Sequence, residues 1–178
     1  MESRNLIIRE SVFEDCRYFA EWEADPEVTR YFNISDQQGY GEVVRKFILD
    51  DEDSTVMQFT IVTKADNTPV GRILVTDINR EEDSLDLTRI YIADKANRGR
   101  GYGTEALSAF LEYAFINLHM ERVTVDFIRD NDTADRLFRR QRFQKEGTAR
   151  SGCKKNGRYY DLQLMALLRA EFFENRDI

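Results

Sequence analysis

Residues Ile90 to Thr104 read Ile-Tyr-Ile-Ala-Asp-Lys-Ala-Asn-Arg-Gly-Arg-Gly-Tyr-Gly-Thr. The stretch opens on apolar, β-branched and aromatic residues, passes glycines at 99, 101 and 103, and leads directly into a helical pattern. Strand, glycine loop and helix in that order make an anion site. The first N–H groups of a helix lack an intrahelical partner and lie at the positive end of its dipole. Glycine lets the backbone approach the bound group closely, and Arg98 and Arg100 add charge of the right sign. Three loop patterns compete. A nucleoside-triphosphate loop needs Lys and then Ser or Thr after its last glycine, and Gly103-Thr104 lacks the Lys. A dinucleotide fingerprint starting at Gly99 and Gly101 needs glycine at 104, where Thr stands. The third pattern, Arg/Gln-x-x-Gly-x-Gly/Ala between a strand and a long helix, is met by Arg98, Gly101 and Gly103.

Downstream, the helix from Thr104 carries Leu107, Phe110, Leu111, Ala114, Phe115 and Leu118 on one face. Upstream, Leu85 to Ile92 reads as the strand feeding the loop, and Gln58–Thr63 and Val70–Ile78 as an antiparallel hairpin turning at Asp66-Asn67. Asn5–Arg9 reads as a first strand. Ser11, with Glu14 as capping-box partner, is expected to start a helix bearing Phe13, Cys16, Tyr18, Phe19 and Trp22 and stopping near Asp25-Pro26. Asp36 is expected to cap a second helix running to about Leu49, with Val43, Val44, Phe47 and Ile48 on one side. The acidic run Asp50–Asp53 then reads as a solvated loop, with recognition of a cationic substrate as the sharper alternative. Val123, Val125 and Phe127 alternate as a strand, Asn131 or Asp132 caps a short helix, Phe143 opens another strand, and Asn156-Gly157 turns it into Tyr159–Leu168. After Arg169 the charged end is expected to fray. The order β-α-α-β-β-β-α-β-α-β-β implies an α/β fold with a mixed sheet and helices on both faces.

A chain of 178 residues fits one domain, taken as 1–178, and its two prolines and 42% hydrophobic content describe a globular protein. With no apolar run long enough to span a bilayer and no signal-peptide core at the start, a cytoplasmic location is expected. The formal charge of −7 argues against general nucleic-acid or anionic-membrane surfaces and is compatible with cationic amines. His119 is the only histidine, and Cys16 and Cys153 stand apart as buried or reduced thiols, so no metal site is expected.

The glycine loop resembles the acetyl-coenzyme A pyrophosphate loop of the GNAT N-acetyltransferases, and the element order is similar to that fold over nearly the whole chain. Asp25-Pro26-Glu27-Val28-Thr29-Arg30-Tyr31, Ile92-Ala93-Asp94-Lys95, Asp130-Asn131-Asp132 with Ala134, Arg136 and Leu137, and Asn156-Gly157-Arg158-Tyr159 resemble the branch of ribosomal-protein-alanine and spermidine/diamine N-acetyltransferases. The resemblance implies a mostly antiparallel sheet of about seven strands. It also implies that acetyl-CoA, as co-substrate, lies on Ile90, Ile92, Arg98, Gly99, Arg100, Gly101, Tyr102, Gly103 and Thr104, with Asn131, Arg136 and Phe138 beside it. A primary amine, either a small amine or polyamine or a peptide N-terminus, would then attack directly.

The family commonly places an acid Tyr in Ala-x-x-Leu-Tyr-x-x-x-Gly-Phe. Here Ala134-Asp135-Arg136-Leu137-Phe138-Arg139-Arg140-Gln141-Arg142-Phe143 has no hydroxyl at 138 and no glycine at 142. That departure keeps open a second reading, an acetyl-CoA-binding sensor or interaction protein with weak or lost transfer. Asp86 is the candidate base, against an exposed strand-edge acid. Tyr159 is a candidate for lining the acceptor site, against a cross-strand packing residue. A homodimer would be an ordinary outcome.

Overall fold

The computed structural model describes residues 1–34 and 38–174. In chain order the elements are β1 (Leu6–Glu10), α1 (Cys16–Glu23), α2 (Pro26–Thr29), α3 (Tyr40–Glu52), β2 (Met57–Thr63), β3 (Pro69–Asn79), β4 (Ser84–Ile92), α4 (Tyr102–Glu112), β5 (Arg122–Ile128), α5 (Asp132–Arg140), β6 (Gln144–Lys155), β7 (Arg158–Leu168) and α6 (Arg169–Glu174). The strands form one sheet in the order β1-β2-β3-β4-β5-β7-β6. Every neighbouring pair is antiparallel except β4 and β5. The expected mixed, mostly antiparallel sheet of seven strands is what forms.

The main core lies between one sheet face and α4. Leu107, Phe110, Leu111, Ala114 and Phe115 are at most 1% exposed, on the face their spacing predicts. At about 1.5–3 kcal/mol for each large apolar side chain removed from water, that row fixes α4 on the sheet. The opposite face carries α1 and α3, joined through Cys16, Phe19, Val43 and Phe47. At the Asn156-Gly157 turn both residues have positive φ, 49° and 78°, the geometry that two-residue hairpins favour.

Several expectations are corrected. Ser11 does not cap α1: its hydroxyl meets Thr60 Oγ1 at 2.9 Å, while the Asp15 carboxylate receives the Val12 N–H at 2.9 Å. The buried Asp15, held also by Arg9, closes the short turn Phe13–Asp15 that leads into α1. Asp36 lies outside the described residues, and α3 begins at Tyr40, where the Gly39 N–H donates to Glu42. Asp50, Asp51 and Glu52 belong to α3 rather than to a loop, with Asp50 paired to Lys46 one turn back at 3.2 Å. Phe143 precedes β6, which starts at Gln144. The chain after Arg169 is helical through Glu174, because Phe172 stacks on Phe115 at 4.8 Å and Arg169 donates to the Phe115 carbonyl.

Candidate active site

β4 and β5 run parallel but pair at three positions only: Ser84 with Arg122, Leu85 with Val123, and Asp86 with Thr124. Beyond that point β4 continues to Ile92 against β3, and β5 continues to Ile128 against β7. The two strands part. A register shift accompanies the parting, since Leu74 pairs with Arg89 but Thr76 with Asp86, which gives β4 one extra residue. Such a bulge bends and twists its strand. It also exchanges the faces: Leu85 and Leu87 pack into the α4 core, then Ile90 and Ile92 do, while Arg89 and Tyr91 turn toward α1.

The glycine loop closes the upper end of the parting. Gly101, at φ 84°, forms the N-cap of α4, and the first helical bond runs from Glu105 N to Gly101 O at 2.9 Å. The N–H groups of Tyr102, Gly103 and Thr104 thus have no helical acceptor. A Cβ at Gly99, Gly101 or Gly103 would meet nothing within 4 Å, so open space lies before these donors. Glu105 ties this first turn to β1, accepting from Asn5 N at 2.5 Å and Asn5 Nδ2 at 3.0 Å. Arg98 turns back on the strand end, donating to Ile92 O at 3.2 Å and Ala93 O at 3.0 Å. It fastens loop to strand.

A cleft of about 540 Å³ runs through this gap. Of the residues the sequence assigned to the cofactor, it brings together Ile90, Ile92, Arg98, Gly99, Gly101, Tyr102, Gly103, Thr104, Asn131, Arg136 and Phe138. Arg100 is exposed and does not line it. Arg140 does, one turn beyond Arg136 on α5. The sequence carries the signal for it, an i, i+4 pair of arginines on one helix face. Asn131 caps α5, its Oδ1 accepting from Ala134 N at 3.1 Å. At the other end of α5, Arg142 adopts φ 66° where glycine is usual, with Arg142 N on Arg139 O at 2.9 Å and Phe143 N on Phe138 O at 3.1 Å. This Schellman arrangement brings Phe143 against Phe138 at 5.3 Å, and Phe127 stacks on the same ring at 5.6 Å. The cleft wall at 138 is therefore a packed ring, 5% exposed and without a hydroxyl.

The opposite wall comes from Glu27, Val28, Tyr31, Phe32 and Tyr91. Tyr91 is held from behind: its hydroxyl donates to Glu23 Oε1 at 2.9 Å, which also receives Arg72 at 2.8 Å and Arg89 at 3.1 Å. Burial, then the Glu23 charge, drives the Tyr91 phenol well above its ordinary range, so it stays protonated. Lys155 secures the α2 segment by donating to the carbonyls of Thr29, Phe32 and Ile34 at 2.8, 3.0 and 3.2 Å.

At the root of the parting, on the face away from α4, Asp86 accepts from Thr124 Oγ1 at 2.7 Å and Thr88 Oγ1 at 3.1 Å. Burial pushes its carboxyl up, with the charges of Asp126 and Asp77 adding and the two threonine bonds opposing. Asp126, two residues along β5 on the same face as Thr124, is likewise raised by burial. The sequence reading passed over it, although the inward Val125 and Phe127 imply that it faces the other way. Tyr159 is not brought here. It stands 65% exposed near the β6–β7 turn, with the Lys154 ammonium 5.2 Å from its ring.

The family described as acetyltransferase (GNAT) domain matches residues 5–144. An uncharacterised N-acetyltransferase, p20, of Bacillus licheniformis is 25% identical over 176 residues, covering 96% of this chain and 96% of its own. The spermidine N(1)-acetyltransferase of Vibrio cholerae is 21% identical over 172 residues, 97% of this chain and 98% of its own. A crystal structure of spermidine N-acetyltransferase from Vibrio cholerae, in complex with CoA and spermine, superposes with a TM-score of 0.86 at 20% identity, over 94% of this chain and 98% of that one. That last likeness is one of fold.

Proposed function

We propose, from the premise that this chain belongs to the GNAT acetyltransferase family and is an acetyl-CoA-dependent N-acetyltransferase, that its acceptor is a cationic primary amine entering from the Asp86 face. The observation that carries this reading is the parting of β4 from β5 just beyond Asp86 and Thr124, with the N-terminus of α4 on one face of the sheet and Asp86 and Asp126 on the other. The cofactor fits the residues present: the helix-end N–H groups of Tyr102, Gly103 and Thr104 lie beside open space, and Arg136 and Arg140 stand on the same cleft. When bound, acetyl-CoA supplies an activated acetyl thioester.

The chain's own residues do the rest. The edge of β4 beyond Asp86, without a strand partner, offers main-chain groups that orient the acetyl carbonyl and stabilise negative charge on its oxygen. Asp86 takes the proton that an ammonium must lose before its nitrogen can attack, and its raised carboxyl suits that task better than an ordinary aspartate. Asp126 adds negative charge beside it and favours a cationic acceptor. The Vibrio cholerae relative is by name a spermidine acetyltransferase, so polyamines are the first arm of the test and peptide N-termini the second.

The test is thiol release from acetyl-CoA with spermidine and other polyamines, single amino acids, and short peptides beginning with Ala or Ser. Saturable turnover with one class is the expected result. Turnover with none, alongside tight acetyl-CoA binding, would overturn it. Phe138 favours that second reading, a cofactor-binding protein with weak transfer, because the ring at 138 carries no hydroxyl to protonate a departing thiolate. Restoration of thiol release by Phe138→Tyr would then establish the second reading.

A further inference from the structure

Three oxygen contacts join two carboxyl groups on the acceptor face. Asp86 Oδ1 lies 3.1 Å from Thr88 Oγ1, Thr88 Oγ1 lies 2.7 Å from Thr76 Oγ1, and Thr76 Oγ1 lies 2.8 Å from Asp77 Oδ2. Thr76 and Asp86 are direct cross-strand partners. Asp77 reaches back to the preceding side chain because its backbone is left-handed, φ 52°, in the irregular stretch of β3 between Thr76 and Asn79. Asp is among the few residue types that accept that conformation.

Counting protons shows what the arrangement requires. A hydroxyl donates one hydrogen, and an ionised carboxylate donates none. With both acids ionised, two hydroxyl hydrogens serve three contacts, and one pair of oxygens meets with no hydrogen between them. One added proton satisfies all three. It can do so in two orders, with Asp86 donating to Thr88, Thr88 to Thr76 and Thr76 to Asp77, or with every bond reversed from Asp77.

We propose that Asp86, Thr88, Thr76 and Asp77 form a chain that holds one shared proton, and that Thr88, Thr76 and Asp77 are positioning residues that carry the acceptor's proton from Asp86 to solvent. The relay rests on the reading of Asp86 as base given above. An N–H bond of the ammonium breaks and an O–H bond forms on Asp86. The step starts with the shared proton at the exposed Asp77 and Asp86 ionised, and Asp77 gives that proton to water once Asp86 has taken the new one. The hydroxyls then each accept one proton and release another, and the O–H bond forms again on Asp77. No electrons change hands. Other charges bear on both ends: Asp126 of β5 acts on Asp86, with Cys153 of β6 near Asp126, and Arg80 and Glu81 line the hollow that holds Asp77.

Carboxyl carbon NMR titration of the full chain labelled at aspartate, in wild type, Thr76→Val and Thr76→Ser, tests the chain. Valine keeps the volume and both charges but removes one hydroxyl, so Thr88 gives its hydrogen to Asp86 without competition. The Asp86 midpoint should fall by about half a pH unit or more, a threefold change in proton affinity, and Thr76→Ser should restore it. An Asp86 midpoint unmoved in Thr76→Val would mean that only through-space charge couples the acids, and the chain would be refuted. The acid limb of the pH dependence of kcat/KM should move with the NMR midpoint. A moved midpoint with an unmoved profile would keep the shared proton and remove both the relay and Asp86 from the reaction, so the two readings fail separately.

Discussion

Replacing Glu23 probes the ion cluster that sets the cleft wall. Its Oε1 takes Arg72 Nη1, Arg89 Nη1 and the Tyr91 hydroxyl, and the three charged side chains are at most 8% exposed. One carboxylate thus stands between two guanidinium groups with little water to replace it. Arg72 has a further acceptor in Gln58 at 2.7 Å, but its Nε is buried without a partner among the described residues. Removing one member of a buried pair costs about 3–5 kcal/mol, which sets Glu23→Ala at about 4 kcal/mol. Gln keeps an oxygen for the same donors and loses the charge. At about 1 kcal/mol of charge assistance per arginine bond, Glu23→Gln should cost about 2 kcal/mol. Urea denaturation followed by far-UV circular dichroism measures both, and Trp22, whose ring lies 6.2 Å from that of Tyr91, reports the same region by fluorescence. Acetyl-CoA affinity should fall in step, since Tyr91 loses its anchor. Losses under about 1 kcal/mol in both variants, the range of exposed ion pairs, would refute the reasoning.

Three further outcomes are expected. Gly101→Ala places a methyl at φ 84° with no steric neighbour, so stability should fall by only about 1 kcal/mol while acetyl-CoA Kd rises about tenfold or more by calorimetry; an unchanged Kd would remove the loop from the anion site. Asp86→Asn concerns pH: the folded-state carboxyl lies above its ordinary 3.8, so its ionisation destabilises the fold, with no effect below 3.8 and the full effect above the raised value. The melting temperature of Asp86→Asn minus that of wild type should therefore grow as the pH rises from the ordinary 3.8 through the raised value, and a difference that shrinks would contradict the shift. Arg142→Gly relieves a left-handed residue at the end of α5 and should raise the melting temperature by a few degrees, corresponding to about 1 kcal/mol; a lower melting temperature would mean that the arginine side chain contributes more than its backbone costs.

What the sequence revealed depended on whether the cause was local. The α4 row, the Asn156-Gly157 turn and the glycine loop each carry their physics within a few residues, and each stands where the spacing put it. Ser11 misled because the turn starts one residue later, closed by a buried Asp15 on the Val12 N–H, and that carboxylate is held by Thr60 on β2 and Arg9 on β1. The acidic run reads as a loop by charge but extends a helix, because Lys46 supports it from the preceding turn. Charge likewise hid α6, which forms because Phe172 finds Phe115, 57 positions earlier.

The bulge in β4 was illegible for the same reason, and it joins both halves of the site. Reading Leu85 to Ile92 as one alternating strand would put Arg89 and Tyr91 on the face of Leu85 and Leu87, against the apolar row of α4. One extra residue reverses the alternation. Ile90 and Ile92 then complete the apolar side beside α4, and Arg89 and Tyr91 reach Glu23 behind the opposite wall. The same irregularity coincides with the end of pairing to β5, because a bulged, more strongly twisted strand leaves the plane of its parallel neighbour. The cleft, the Asp86 face and the buried ion cluster thus share one cause, a register shift invisible to a reading of any single strand. The cluster also offsets it, because Glu23 receives Arg89 and Tyr91 on the face to which the bulge turns them, where Trp22 and Phe32 pack against the same side chains.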